Sequence, residues 1–320
     1  IPATVTHTTF TKSIIPGLDS LIIVASPRAL IRPLGLLRLL QLASTCTAFS
    51  LVIYVGAWMG PMGSWCLFSW CFSFAMTVIV LAVEMAGLQR SLPLSWREFP
   101  ITCACYAVLF CLSSSIIYPI TYVRFMSYGY IRKYAVCAII FSCISCVAYA
   151  TEVTWTHSRP GDITGYMASK TGMLKVFESF VACIIFLFLN NPHLYTQEPV
   201  LQWCLSVYII CFILTMVVIL LYLGKCTKNL LIPLSTFLTG MTFLCVLLYT
   251  TAIVLWPLYK FSEGFHGVPN RVMDSSCNYK HAHSVCVWDR QVAVAFLTGV
   301  NLVAYTADFM YTIFSFFKKI

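Results

Sequence analysis

Apolar residues gather in eight long, nearly unbroken runs. They lie at about 36–58, 65–87, 99–121, 134–155, 172–189, 201–223, 233–257 and 291–317, each long enough for the roughly 17–25 helical residues that cross a hydrocarbon core. A membrane β-barrel needs alternating apolar and polar positions, and these runs are continuous. The pattern predicts an all-α polytopic membrane protein with eight transmembrane helices. The fifth run is short, and the eighth has length to spare for tilt or for extension into the interface. Between the first two runs, Gly60-Pro61-Met62-Gly63 predicts a tight turn, and Pro192 and Pro199 bracket the turn between the fifth and sixth.

The pattern also repeats. Gly35-Leu36-Leu37-Arg38 returns as Gly172-Met173-Leu174-Lys175, and Trp65-Cys66-Leu67 as Trp203-Cys204-Leu205. Pro93-Leu94-Ser95 returns as Pro233-Leu234-Ser235, and Tyr118-Pro119-Ile120 as Trp256-Pro257-Leu258. Val147-Ala148-Tyr149-Ala150-Thr151-Glu152 closes the first unit as Val303-Ala304-Tyr305-Thr306-Ala307-Asp308 closes the second. A unit of four helices is even, so both copies enter from the same side as parallel repeats rather than inverted ones. The expected organisation is a Thr-rich flexible tail over 1–29, a first four-helix repeat over 30–160 and a second over 161–320. The second has a long external loop near 260–290. The first residues show no n-region, h-region or cleavage site of a signal peptide.

Composition agrees with the pattern. The chain is 60% hydrophobic and 10% charged, whereas a soluble domain is about a quarter charged. The net charge of +9 does not point to nucleic acid, because the cations flank apolar runs and form no block. Thirteen of the twenty Lys and Arg fall on one side if both termini face the cytosol, as the positive-inside rule favours. Most of the sixteen cysteines sit inside apolar runs, where cysteine packs as a small hydrophobe.

Certain segments carry a resemblance. They are Ser26-Pro27-Arg28-Ala29-Leu30 through Leu36-Leu37-Arg38-Leu39-Leu40-Gln41-Leu42, Pro93-Leu94-Ser95-Trp96-Arg97 and Ile116-Ile117-Tyr118-Pro119. Ala148-Tyr149-Ala150-Thr151-Glu152-Val153 and Leu255-Trp256-Pro257-Leu258-Tyr259 add to it. The most specific is the linker Arg159-Pro160-Gly161-Asp162-Ile163-Thr164-Gly165-Tyr166-Met167, whose polar residues hydropathy does not dictate. Over nearly its whole length the chain resembles the myeloid-associated differentiation marker family, whose members carry two MARVEL domains of four helices each. The resemblance implies a non-enzymatic organiser of ordered, cholesterol-rich plasma-membrane domains, with roles in vesicle traffic, cell spreading and junctions. Implied partners are membrane lipids, cholesterol among them, and cytosolic Rho-family GTPases or trafficking proteins; a homo-oligomer stays open. No catalytic, cofactor-binding or metal-binding residues come with it, and no cofactor is expected.

The residues themselves offer three candidate constellations. In each unit a cation stands near the start of the first helix and an acid near the end of the fourth, which gives the pairs Arg38–Glu152 and Lys175–Asp308. A closed four-helix bundle makes those helices neighbours. The alternative is that the cations act singly and snorkel to headgroups. Glu84 and Glu178 are further acids toward the same side, with Gln41 in the place of Glu178 in the first unit. In the last external loop, Cys277 and Cys286 read as a disulfide in an oxidising exterior. A zinc site completed by His281 and His283 is the alternative, although its spacing departs from the usual pattern. Cys226, between Lys225 and Lys228, is a candidate for palmitoylation, against an unmodified thiol.

Weaker signals carry less. Gly56-x-x-x-Gly60 sits beside a turn, which suits a turn role better than helix pairing. Val123–Arg132 and Lys175–Val181 fit permissive cholesterol motifs. Eight helices and a duplication also permit a transporter or channel. The apolar runs lack the paired Gly/Pro interruptions that mark an unwound substrate site. An intramembrane enzyme is a third class; no His-Glu-x-x-His motif is present, and Glu152 and Asp308 close different bundles.

Overall fold

A computed structural model describes residues 33–158, 165–189, 198–224, 234–265, 267–277 and 286–317. Their main elements are α1 (Pro33–Val55), α2 (Pro61–Ala86), α3 (Phe99–Thr121), α4 (Tyr130–His157), α5 (Lys170–Phe188), α6 (Pro199–Leu223), α7 (Leu234–Phe261) and α8 (Val287–Phe317). All eight are long and apolar enough to cross a membrane. The predicted tail over 1–29 lies outside the described residues, as do Cys226, His281 and His283.

Local chemistry sets the ends. Pro61 and Pro199 open α2 and α6, where proline's missing N–H costs nothing and its fixed φ suits a helix. Ser169 caps α5, its Oγ accepting the N–H of Gly172 at 3.2 Å. Gly87 closes α2 with φ 66°, a left-handed conformation that favours glycine. One turn differs from expectation. The α1–α2 turn occupies 56–60, where Gly56 and Gly60 have φ of 70° and 95°. Pro61-Met62-Gly63, expected in the turn, is already the first turn of α2, because a proline after a glycine can start a helix as readily as it bends a chain. Hydropathy hid this by running on through Ala57 and Trp58.

Each unit closes into a ring. α1 packs on α2 and α4, and α3 packs on the same two helices; α5, α6, α7 and α8 repeat that arrangement. The rings meet mainly through α3 against α5. The starts of α1 and α5 and the ends of α4 and α8 therefore lie at one end of the molecule, called here the terminal end. Buried aromatics fill both rings: Trp70, Tyr118 and Tyr149 in the first, Tyr208, Trp256 and Tyr305 in the second. The outward faces carry Ile53, Phe68, Leu220, Val254 and Phe296. Inside, Ser73, Thr77, Ser142 and Ser145 are buried. Such a distribution suits a lipid solvent, in which helices associate by close packing and hydrogen bonds rather than by the hydrophobic effect.

Polar contacts also join the rings. Glu98, just before α3, accepts the N–H groups of Tyr166 and Met167 on its two carboxylate oxygens, both at 2.8 Å. Tyr166 stacks on Tyr222 with ring centroids 3.8 Å apart, and the Ser95 N–H donates to the Leu223 carbonyl at 2.7 Å. A Cβ on Gly165 would lie 2.5 Å from Glu98 Oε1, so a side chain there would displace the carboxylate from the place in which it accepts these two N–H groups.

Candidate functional site

Cross-helix polar bonds, most of them in the interior, recur at equivalent places. In the first ring, Trp65 Nε1 donates to Ser113 (3.1 Å), Trp70 Nε1 to Ser142 (2.9 Å), and Thr77 bonds the Tyr149 hydroxyl (2.7 Å). In the second, Trp203 Nε1 donates to Thr251 (3.0 Å), Tyr208 bonds Thr298 (2.8 Å), and Thr215 bonds the Tyr305 hydroxyl (2.9 Å). Each second-ring pair stands at the repeat position of a first-ring pair. Side-chain identity has drifted from Trp to Tyr and from Ser to Thr, while donor and acceptor still face across the same helices.

An ion cluster lies beyond these bonds, toward the terminal end of each ring. In the first, Arg38 Nε donates to Glu152 Oε1 at 2.8 Å, and Nη1 reaches Glu84 Oε2 at 2.5 Å. Gln41, one turn along α1, donates to Glu152 Oε2 at 2.8 Å and to the Ala148 carbonyl at 3.3 Å. In the second, Lys175 Nζ lies 2.8 Å from Asp308 Oδ2, 3.0 Å from Glu178 Oε2 and 3.2 Å from Thr242 Oγ1. Arg38, Glu152, Lys175, Glu178 and Asp308 are all buried. Both sequence pairs, Arg38–Glu152 and Lys175–Asp308, are thus in direct contact, and the four residues point inward.

Each cation has a second acid that the sequence reading set apart. Glu84 comes from α2 in the first ring, where the second has Tyr222; Glu178 comes from α5, where the first has Gln41. The signal for Glu178 was present, since Lys175 and Glu178 are three apart and share a helix face. Glu84 was not readable from spacing, because its contact depends on ring closure. Lys175 faces inward, so the ammonium of its permissive cholesterol motif is occupied by protein carboxylates.

The clusters differ in access. Arg38, Glu84 and Glu152 line a cleft of about 270 Å³ at the terminal end, with Trp96, Arg97 and Trp155 at its walls. Lys175, Glu178 and Asp308 are sealed, each at most 3% exposed.

At the opposite end, Cys277 and Cys286 form a disulfide with Cα atoms 5.0 Å apart. Both sulfurs are therefore committed to each other, although Asp274 lies close enough to complete a three-ligand group with them. The Asp274 carboxylate accepts the N–H groups of Ser276 (2.9 Å) and Trp288 (2.8 Å). Burial opposes its charge, but the hydrogen bonds from Ser276 and Trp288 outweigh that and hold its carboxyl below the usual carboxylate range. Arg271 forms a bidentate pair with Asp289 at 3.0 and 3.1 Å. Arg290 donates to the Phe188 carbonyl, tying the base of α8 to the end of α5.

The comparisons follow this duplicated geometry. The MARVEL family, described as a membrane-associating domain, matches residues 29–155 and again 166–311. The chain is 60% identical to the human myeloid-associated differentiation marker over 322 residues, covering all of both chains. It is 59% identical to the mouse protein over 324 residues, again covering all of both. It is 45% identical to the Xenopus laevis myeloid-associated differentiation marker homolog over 291 residues, 91% of this chain and 95% of that one. No solved structure gives a significant match. With two family segments and full-length relatives at this identity, the chain belongs to the myeloid-associated differentiation marker family of MARVEL-domain membrane proteins.

Proposed function

We propose that this multi-pass protein is a non-enzymatic organiser of ordered, cholesterol-rich plasma membrane, with both termini in the cytosol. On this reading it works through the shape and lipid preference of its outer faces. It supports vesicle traffic, cell spreading, and junctional or Rho-family GTPase recruitment through segments at the terminal end. The observation that carries the reading is the use made of charge. Intramembrane acids mark substrate or ion routes in transporters by default. Here Glu84, Glu152, Glu178 and Asp308 each bind a cation on the first helix of their own ring. Glu84, Glu152 and Asp308 fasten helices, and Glu178 pairs within α5. Among the described residues the four stay grouped toward the terminal end rather than lining a path from one face to the other. All eight spanning helices are also continuous, unlike the broken helices of many transporters.

Two measurements test this. Ordered-membrane fractionation combined with proximity labelling from the cytosolic termini should place the protein in cholesterol-rich membrane beside trafficking or GTPase proteins. Purified protein in liposomes should pass no ion or solute. Reproducible flux abolished by substitution of Glu152 or Asp308 would replace this reading with the transporter or channel alternative.

A further inference from the structure

We propose that the second ring binds one proton, held on Glu178 beside Asp308, so that the Lys175–Glu178–Asp308 cluster is neutral inside the membrane. The cluster holds one cation and two carboxylates, all at most 3% exposed. The fixed charges leave one negative charge uncompensated. An unpaired ion in such a place is strongly unfavourable even after relaxation, and a buried acid takes up a proton instead.

A second observation points the same way. Glu178 Oε1 and Asp308 Oδ1 are both buried without a hydrogen-bond partner among the described residues. Their other oxygens meet on the same Lys175 nitrogen, so the carboxylates are neighbours. One proton supplies the missing donor and removes the missing charge together.

The repeat shows what a neutral group does at this position. Gln41 stands where Glu178 stands and donates its amide N–H to Glu152, the counterpart of Asp308. A protonated Glu178 has the same shape and the same capacity to donate. Asp308 is the poorer carrier, because its Oδ2 already accepts from Lys175 and Thr242. The proton belongs to the interacting pair and resides on Glu178. The other groups facing Glu178 do not supply a second cation: they are Cys211 from α6, Cys245 from α7 and Tyr305 from α8. Tyr106 from α3 bonds the adjacent Ser179. The first ring has no such need, since its extra acid, Glu84, opens to the cleft at the terminal end.

Infrared spectroscopy of the full chain in lipid nanodiscs tests this. The native protein at neutral pH should show the carbonyl stretch of a protonated carboxylic acid, and Glu178→Gln should lose one acid equivalent of that band while remaining folded. The sign of the pH effect follows. As pH rises above the ordinary carboxylate range, the unfolded chain releases a proton that the folded chain keeps. Native stability therefore falls with rising pH, and Glu178→Gln removes that slope. Absence of the band in the native protein overturns the proposal, as does a band unchanged by the substitution. Failure of Glu178→Gln to fold also overturns it, because glutamine reproduces the protonated acid. A melting temperature that rises when sodium replaces choline at constant ionic strength assigns the site to a metal cation instead.

Discussion

Arg38 uses two different edges of its guanidinium, Nε toward Glu152 and Nη1 toward Glu84. Lysine has no such planar fork, so Arg38→Lys should keep one contact and lose the other. Arg38→Ala leaves two acids facing an empty place and should cost about 3–5 kcal/mol, as breaking a buried pair does. Adding Glu152→Gln should recover at least half of that, read as melting temperature in detergent. A simple exchange of charges between 38 and 152 should rescue only in part, because an acid at 38 then sits beside Glu84. Tyr149→Phe and Tyr305→Phe remove equivalent cross-helix bonds and should each cost about 0.6–1.7 kcal/mol. Tyr149→Phe is the costlier because its hydroxyl donates to the Ser73 carbonyl at 3.0 Å, whereas the equivalent bond from Tyr305 to the Cys211 carbonyl is longer at 3.4 Å. A Tyr149→Phe variant as stable as wild type would show that this bond contributes nothing in lipid. The facing of Arg38 with Glu152 could be reached from sequence because the repeat supplied the same pair twice. Glu84 could not, since a contact from α2 depends on how the ring closes, and spacing along the chain carries no record of that.

Among the elements, the joint between the rings and the base of α8 respond to different conditions. Glu98→Ala strands the N–H groups of Tyr166 and Met167, a cost of about 1–3 kcal/mol for each buried orphan. Hydrogen exchange should accelerate at 165–169 while the interior of α1 stays protected. Uniform acceleration through both rings would mean that they do not open independently. At the base of α8, peptide mapping without reductant should recover Cys277 linked to Cys286, and Cys286→Ser should weaken the loop by ~3 kcal/mol. Asp274 sets the pH response there. Its folded pKa lies below the unfolded value of about 3.9, so its contribution is full above that value and is lost as pH falls through the folded pKa. Protection of 271–277 relative to the intrinsic exchange rate should therefore be full at neutral pH and fall only in acid, whereas Asp274→Ala should lower it at neutral pH. Helix positions were legible because hydrocarbon thickness demands long apolar runs. The end of α1 was not, because Gly56 and Gly60 act through backbone angles and Ala57 and Trp58 between them are as apolar as the helix.

The whole molecule is two closed rings with their polar groups turned inward and their outer faces apolar. Eight spans and their duplication were readable because periodic hydropathy survives sequence drift. Beyond the closure of each ring by its first and fourth helices, which helices touch was not, since a lipid-exposed face and a packed face can be equally apolar. The asymmetry of the two clusters was hidden for the same reason: both have the composition of one cation and two acids, and only packing distinguishes an open mouth from a sealed interior.

That asymmetry bears on the order in which the protein is made. Lys175 meets an acid within its own helix, three residues later. The first acid to reach Arg38, Glu84, is 46 residues away, and Glu152 is 114 residues away. At roughly 5–20 residues per second of synthesis, Arg38 waits several seconds or more for the helix that completes its cluster. The Arg38 guanidinium therefore has no carboxylate partner until α2 emerges, and gains its second only with α4. In the second ring Glu178 offers Lys175 an acid at once, although Asp308 arrives only with α8. The earlier half is thus the one whose cation enters the membrane with no acid on its own helix, and it is the half expected to be the more sensitive to slowed insertion.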